Sequence, residues 1–172
     1  MSRSKPISIV LGILLLACVP TACGIYSFSG ASIPEGASTF QVNYFQNNAP
    51  LVEPGLERDF TFALQDLIQD QTSLTLTTSG GDLIYEGEIV EYFVAPQTAT
   101  SQNTAAQSRL TITINVRYIN TLNPDDDFER RFSFFSDYPG TNQLTGAQLD
   151  AAVEEIFERI TQDIFNASLA NW

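Results

Sequence analysis

A stretch of strict alternation near the middle of the chain constrains the fold more than any other feature. From Arg109 to Tyr118, apolar and polar residues take turns at every position. The apolar set is Leu110, Ile112, Ile114, Val116 and Tyr118, and the polar set is Arg109, Thr111, Thr113, Asn115 and Arg117. Successive side chains of a strand point to opposite faces. The pattern therefore predicts a half-buried strand in a sheet with one open face, whose apolar face other elements must cover.

Two amphipathic helices are available to cover it. After Pro54, apolar residues recur at helical spacing over residues 56–68, and a second stripe runs over residues 149–164. Thr145, with Gln148 three residues later, predicts a capping box at the start of the second helix, which we expect to continue to the carboxyl terminus. The order is one strand, a helix, a run of strands and a helix. It predicts an α+β fold: a two-layer sandwich with two helices packed on one face of a mixed four- to five-stranded sheet.

The remaining strands follow from shorter patterns. Residues 39–45 alternate, which places Phe40, Val42 and Tyr44 on one face, and further strands are predicted over 74–78, 83–94 and 128–135. Between the two longest strands, residues 95–108 contain no charged residue and consist mostly of Ala, Thr, Ser, Gln and Asn. We interpret this segment as a loop, and loops of that length are usually functional or disordered.

The amino terminus has the pattern of an export signal. Arg3 and Lys5 precede an uncharged, mostly apolar run that is shorter than the roughly 20 residues of a membrane-spanning helix. Two Ala-Cys junctions, ending at Cys18 and Cys23, are typical of bacterial lipoprotein processing. The local pattern favours Cys18, whereas segment length favours Cys23, and cutting at Cys18 would leave a spare thiol. We predict a signal peptide over residues 1–22, lipidation of Cys23, a lipidated tether over 23–38 and a single domain over 39–172.

Charge and composition exclude several classes of function. The chain has 20 acidic against 8 basic residues and a formal net charge of −12, so it should repel nucleic acid. It contains no histidine, which removes the usual general base and the common zinc ligand sets. We therefore predict no enzymatic activity, no catalytic residues, no cofactor and no metal site.

Three clusters have a structural explanation that is simpler than a chemical one. Asp125, Asp126 and Asp127 could help to bind Ca²⁺, but they follow a turn signal and are explained as a solvated turn. Glu86, Glu88 and Glu91 could supply paired carboxylates for glycoside hydrolysis, but an exposed sheet face explains them as well. A set of aromatic residues could line a lipid groove, although strand aromatics usually form core; these are Tyr85, Tyr92, Phe93, Phe128 and Phe134.

Four segments together resemble one family. They are residues 23–30 (CGIYSFSG), 81–89 (GDLIYEGEI), 109–114 (RLTITI) and the ending with 163–166 (DIFN) and Trp172. In this order they resemble the lipopolysaccharide-assembly lipoprotein family LptE, most closely its Bacteroidota-like branch. The resemblance implies an outer-membrane lipoprotein, lipid-anchored through its acylated cysteine on the periplasmic side. It also implies that the domain sits inside the lumen of an LptD-type β-barrel and assists lipopolysaccharide transport and assembly.

Within that interpretation, two polar surfaces are candidates for contact with the barrel, because a barrel lumen wall is polar. One is the open face of the sheet, with Thr111, Thr113 and Asn115, and the other is the uncharged loop, with Gln97, Thr98, Thr100, Gln102 and Asn103. Lipopolysaccharide itself is a further candidate partner. The enteric branch is described as using basic side chains for it, and here the chain after Cys23 has no Lys and six Arg, so no such residue is assigned. The alternative is a periplasmic lipid- or protein-binding lipoprotein unrelated to lipopolysaccharide export.

Overall fold

The computed structural model describes residues 31–51, 53–97, 107–140 and 143–170. The predicted signal peptide and Cys23 lie outside these residues. In chain order the strands and helices are β1 (Thr39–Val42), β2 (Gln46–Asn47), α1 (Leu56–Gln71), β3 (Thr75–Leu76), β4 (Leu83–Gln97), β5 (Gln107–Asn120), β6 (Phe128–Pro139) and α2 (Ala147–Leu169). A 3₁₀ turn at Pro124–Asp126 joins β5 to β6.

The strands form one mixed sheet with the order β3-β1-β4-β5-β6, and β2 also pairs with β4. The three long strands β4, β5 and β6 are antiparallel neighbours, whereas β1 and β2 run parallel to β4. A parallel pair needs a crossover connection, and α1 provides it between β1 and β3. The alternating stretch found in the sequence is β5, the strand between the two other long strands.

Both helices pack on the same face of the sheet and enclose the core. Helix α2 contacts β5 and β6, helix α1 contacts β1 to β3, and the two helices contact each other. Phe60 of α1 lies at the centre, with its ring edge-to-face against Phe45 at 4.9 Å and Phe157 at 5.2 Å between centroids. Tyr85 reaches from β4 to α2, where its hydroxyl lies 3.0 Å from Ser168 Oγ. The predicted two-layer α+β sandwich is confirmed. The sheet has six strands, of which β2 and β3 are only two residues long.

The expected face of Tyr44 is wrong. Strand β1 ends at Val42, Tyr44 is 60% exposed, and Phe45 is fully buried instead. Val42 pairs with Tyr85 and Gln46 pairs with Glu88. The segment from Val42 to Gln46 is therefore one residue longer than the segment of β4 with which it pairs. An extra residue of this kind reverses which side chains face the core. The alternation over residues 39–45 therefore breaks after Val42.

The capping box predicted at Thr145 and Gln148 is also wrong. Helix α2 begins at Ala147, the residue before it is Gly146, and no side chain in the described part of the chain caps the helix. Gly146 has a φ of 57°, a conformation that glycine adopts without strain, and its carbonyl oxygen accepts the N–H of Asp150 at 3.0 Å. Asp150 lies in the first turn, where a negative charge favours a helix start. The helix ends at Leu169 and not at the terminus.

Among the described helices, neither is long and apolar enough to span a bilayer.

Candidate functional site

The face of the sheet opposite the helices is the candidate site, and we call it the open face. It is formed by the side chains of β4, β5 and β6 that point away from the core. Arg109, Thr111, Thr113, Asn115 and Arg117 of β5 all lie on it, as the sequence predicts. A β-bulge in β4 between Ile89 and Glu91 decides what stands beside them. Before the bulge Glu86 and Glu88 face outward, and after it Glu91 and Phe93 do so, because the extra residue reverses the alternation.

Polar side chains on the open face are joined across the strands. Thr113 Oγ1 donates to Glu91 Oε2 at 2.8 Å and lies 2.9 Å from Ser133 Oγ on the other side. These neighbours leave Thr113 only 7% exposed, so it positions Glu91 and offers little surface to a partner. Asn115 Nδ2 donates to Glu129 at 2.9 Å.

At the end of the open face where Glu86 of β4 pairs with Arg117 of β5, carboxylates and cations form ion pairs. Arg117 forms a 2.7 Å ion pair with Glu86, and Glu86 also accepts the side-chain amide of Asn43 at 3.0 Å. These contacts confirm that Glu86 and its neighbours form a hydrogen-bonded sheet surface.

Two exposed aromatic residues distinguish the other end of the open face. Phe93 pairs with Thr111, and Thr111 pairs with Phe135 on the next strand, so the three side chains form one row across the sheet. Phe93 is 54% and Phe135 40% exposed. The guanidinium of Arg109 lies 3.5 Å above the centroid of the Phe135 ring and binds Asp137 through two hydrogen bonds of 2.7 and 2.8 Å. These bonds lower the pKa of the Asp137 carboxyl.

Aromatic side chains and arginine are the residues that dominate protein interfaces, so this row is the part of the open face best suited to a partner. Sequence reasoning placed Phe93 among core aromatics, and Phe135 was not singled out. Tyr85 and Tyr92 are buried as expected. The sequence does contain a signal for Phe135: it follows Phe134 directly, so in a regular strand it faces the side opposite to Phe128, Phe132 and Phe134.

The predicted loop is shorter than the sequence suggests. Strands β4 and β5 continue as a paired ladder to Gln97 and Gln107, which are cross-strand partners. Gln97, predicted in the loop, is therefore a strand residue. Thr98, Thr100, Gln102 and Asn103 fall within residues 98–106, which lie outside the described part of the chain. The described ladder therefore ends at the Gln97–Gln107 pair, four residue pairs beyond the pair of Phe93 and Thr111.

Two other acidic groups have structural roles. One carboxylate oxygen of Asp82 accepts the backbone N–H groups of Ser38 and Thr39, both at 2.9 Å, and their two hydroxyls. These bonds lower the pKa of Asp82 to about 2, with the Ser38 N–H contributing most, and they fasten the start of β1 to β4. In the turn after β5, Asp126 and Asp127 accept hydrogen bonds from the buried Asn120. Among the residues described, no group of acidic side chains is arranged to hold a metal ion.

Most arginine side chains of the described residues lie at the surface and pair with neighbouring carboxylates. Four of the six in the predicted mature chain form ion pairs with a neighbouring carboxylate; these are Arg58, Arg109, Arg117 and Arg159. Arg130 lies over the rings of Phe128 and Phe132 at 4.9 and 5.2 Å. Arg131, together with Leu51 and Phe93, lines a recess of about 630 Å³ on the open face.

A family model described as "LptE: Lipopolysaccharide-assembly" matches residues 37–168, well over half of the chain. This chain belongs to the LptE family. The match spans all the strands and almost all of α2. A search of curated proteins found no match.

Solved structures share the fold of this LptE-family chain at low sequence identity. A hypothetical protein from Chlamydia trachomatis, CT253, is 9% identical with a TM-score of 0.53, and the match covers 78% of this chain and 99% of that one. Protein XCC0632 from Xanthomonas campestris is 12% identical with a TM-score of 0.50, covering 78% of this chain and 87% of its own. At these identities the likeness supports the two-layer fold and nothing finer.

Proposed function

We propose that this LptE-family chain is an outer-membrane lipoprotein, anchored through an acylated Cys23, that binds an LptD-type β-barrel and assists lipopolysaccharide transport and assembly. The role is non-enzymatic: the domain acts as a folded partner of the barrel. Membership of the lipopolysaccharide-assembly family supports this proposal. The acylated cysteine would hold the domain at the periplasmic side, since each buried CH₂ of an acyl chain contributes roughly 0.8 kcal/mol to membrane binding.

The observation that carries the proposal is the character of the open face. Both described helices lie on the other side of the sheet, so neither of them covers this face. It combines a hydrogen-bonded polar surface, which suits the polar wall of a barrel lumen, with the exposed row of Phe93, Thr111 and Phe135. Exposed aromatics next to an arginine give such a surface an anchor. We propose that this row makes the main contact.

The experiment is affinity purification of the tagged chain from outer membranes, with the recovered barrel as the readout. Replacing Phe93 and Phe135 by serine should lower barrel recovery at least tenfold, since aromatic anchors commonly contribute about 2 kcal/mol or more to binding. Phe62→Ser is the matched control, because Phe62 is also 54% exposed but lies on α1. Equal recovery by the double variant and the control would refute the proposed contact face.

The segment beyond Gln97 is the second proposed contact. Because Gln97 and Gln107 are paired, residues 98–106 can be replaced by a two-residue Asn-Gly turn, which suits an antiparallel hairpin. We expect the shortened chain to keep its thermal stability and to recover less barrel. Undiminished recovery and unchanged outer-membrane glycolipid levels would show that residues 98–106 are only a connector.

The anchor has its own test. Mass spectrometry of the native amino terminus should find acylated Cys23 as the first residue. An acylated Cys18 or an unmodified start would contradict the assignment. Cys23→Ser should release the protein from the membrane fraction, whereas Cys18→Ser should not.

A further inference from the structure

The helical side of the molecule carries a groove that the proposed function does not use. It runs between α1 and α2 and has a volume of about 710 Å³. Its floor is apolar and comes from both helices: Leu56, Ala63 and Leu67 of α1, and Leu149, Val153 and Phe157 of α2. Ala63 has the smallest side chain on this floor, and it leaves room between the helices. We call this feature the interhelical groove.

The rim of the interhelical groove is acidic. Seven carboxylates line it: Glu53, Asp59, Asp66, Asp70, Asp150, Glu154 and Glu158. Among the described residues that line the groove there is no lysine or arginine. Within the described ranges, Asp59 is the one member of this set with an ion-pair partner, the exposed Arg58 at 2.8 Å. An apolar floor between two rows of unneutralised carboxylates is complementary to a ligand that is both apolar and cationic.

The spacing of the carboxylates opposes helix stability. Asp150, Glu154 and Glu158 follow each other at four-residue intervals on α2, and Asp66 and Asp70 do so on α1. Like charges at this spacing repel each other and destabilise a helix. A surface that only had to be soluble could carry positive and negative side chains in alternation. The arrangement instead concentrates negative potential along one channel.

We propose that the interhelical groove docks a basic amphipathic helix of a protein partner. From Leu56 to Asp70, α1 advances about 21 Å, which is the length of four turns. A helix of that length can place apolar side chains at i, i+3, i+4 and i+7 on the floor and lysine or arginine against both rims. A second copy of this chain is the wrong occupant, because both of its described helices are acidic on their outer faces. An anionic membrane surface is repelled by the same charges. The inference does not depend on the open face, which lies on the other side of the sheet.

The test uses the full chain, purified in a nonionic detergent, and a labelled 18-residue helical peptide with leucine at the four anchor positions and lysine on both flanks. Fluorescence anisotropy at low salt gives Kd. The groove variant D150N/E154Q/E158Q should raise Kd about tenfold, since each exposed charge pair contributes a few-fold to affinity. The matched control E35Q/D125N/E129Q removes the same charge elsewhere on the surface and should change Kd less than twofold.

Ala63→Gln separates the groove from diffuse charge attraction. It places a longer polar side chain on the apolar floor without altering the charge, and it should raise Kd at least threefold. Because the groove variant removes like-charge pairs, its helices should melt no earlier than those of the wild type in circular dichroism, which excludes misfolding as the cause. No saturable binding, equal weakening by the two triple variants, or an unaffected Kd in Ala63→Gln would each overturn the proposal.

Discussion

Replacing Gly87 by alanine tests the packing on which the open face depends. Gly87 lies on β4 between Glu86 and Glu88, on the side that faces the core. A Cβ atom there would lie inside contact distance of the Asn115 carbonyl oxygen on β5 and 2.9 Å from the Phe45 ring. Neither neighbour is a flexible chain end, because one is backbone and the other is a fully buried ring. The methyl group can fit only if β4 moves away from β5.

Overpacking of this kind costs about 1–3 kcal/mol, and occasionally more. Because backbone must move here, we expect Gly87→Ala to lower the free energy of unfolding by about 3 kcal/mol. For a domain of this size that corresponds to a Tm lower by roughly 10 to 15 °C. Gly80→Ala is the control: Gly80 has a φ of 68°, and no atom of the described residues lies within 4 Å of its would-be Cβ, so its cost is strain alone, about 1 kcal/mol. Urea unfolding followed by circular dichroism measures both, and a smaller loss for Gly87→Ala than for Gly80→Ala would refute the reasoning.

Three further predictions concern stability. Phe60→Ala empties the fully buried centre of the core and should lower the free energy of unfolding in urea by about 3–5 kcal/mol; a loss below 1 kcal/mol would contradict the packing. Tyr85→Phe removes a hydrogen bond to α2 and should lower the free energy of unfolding by about 1 kcal/mol in the same assay. Tyr118→Phe should cost nothing, because the buried Tyr118 hydroxyl has no partner among the described residues. Equal losses for the two variants would contradict this. The pKa of Asp82 is lowered to about 2, so its contribution to stability is complete above its ordinary pKa and is lost as the pH falls from about 4 towards 2. In thermal melts across that range, Asp82→Asn should show a smaller fall of Tm with pH than the wild type. An unchanged dependence of Tm on pH would exclude this role of Asp82.

The layers of the fold could be predicted because periodicity reports directly on burial. The side chains at the even positions of β5 are buried, as the alternation indicates, and each helix packs on the sheet through buried members of its apolar stripe. These signals are local and long, and no extra residue interrupts them. The two-layer arrangement then follows, since the helices and the sheet each have one apolar face to cover.

What could not be predicted depends on single extra residues. The bulge at Val90 brings Phe93 to the open face, and the irregularity after Val42 exchanges Tyr44 for Phe45 in the core. Both are properties of strand pairing, and pairing partners are distant in sequence. The helix start at Gly146 was missed for a related reason, because a glycine with positive φ takes the place of the side-chain cap that the pattern of Thr145 suggested.

Site-specific photocrosslinking in living cells tests the central proposal most directly. A photoreactive amino acid at Phe93, on the open face, should form an adduct with an LptD-type barrel, and the same amino acid at Phe62, equally exposed on α1, should form none. Mass spectrometry of the adduct identifies the partner and the crosslinked strand. A barrel adduct from position 62 and none from position 93 would show that the helices face the barrel, and it would contradict the assignment of the open face.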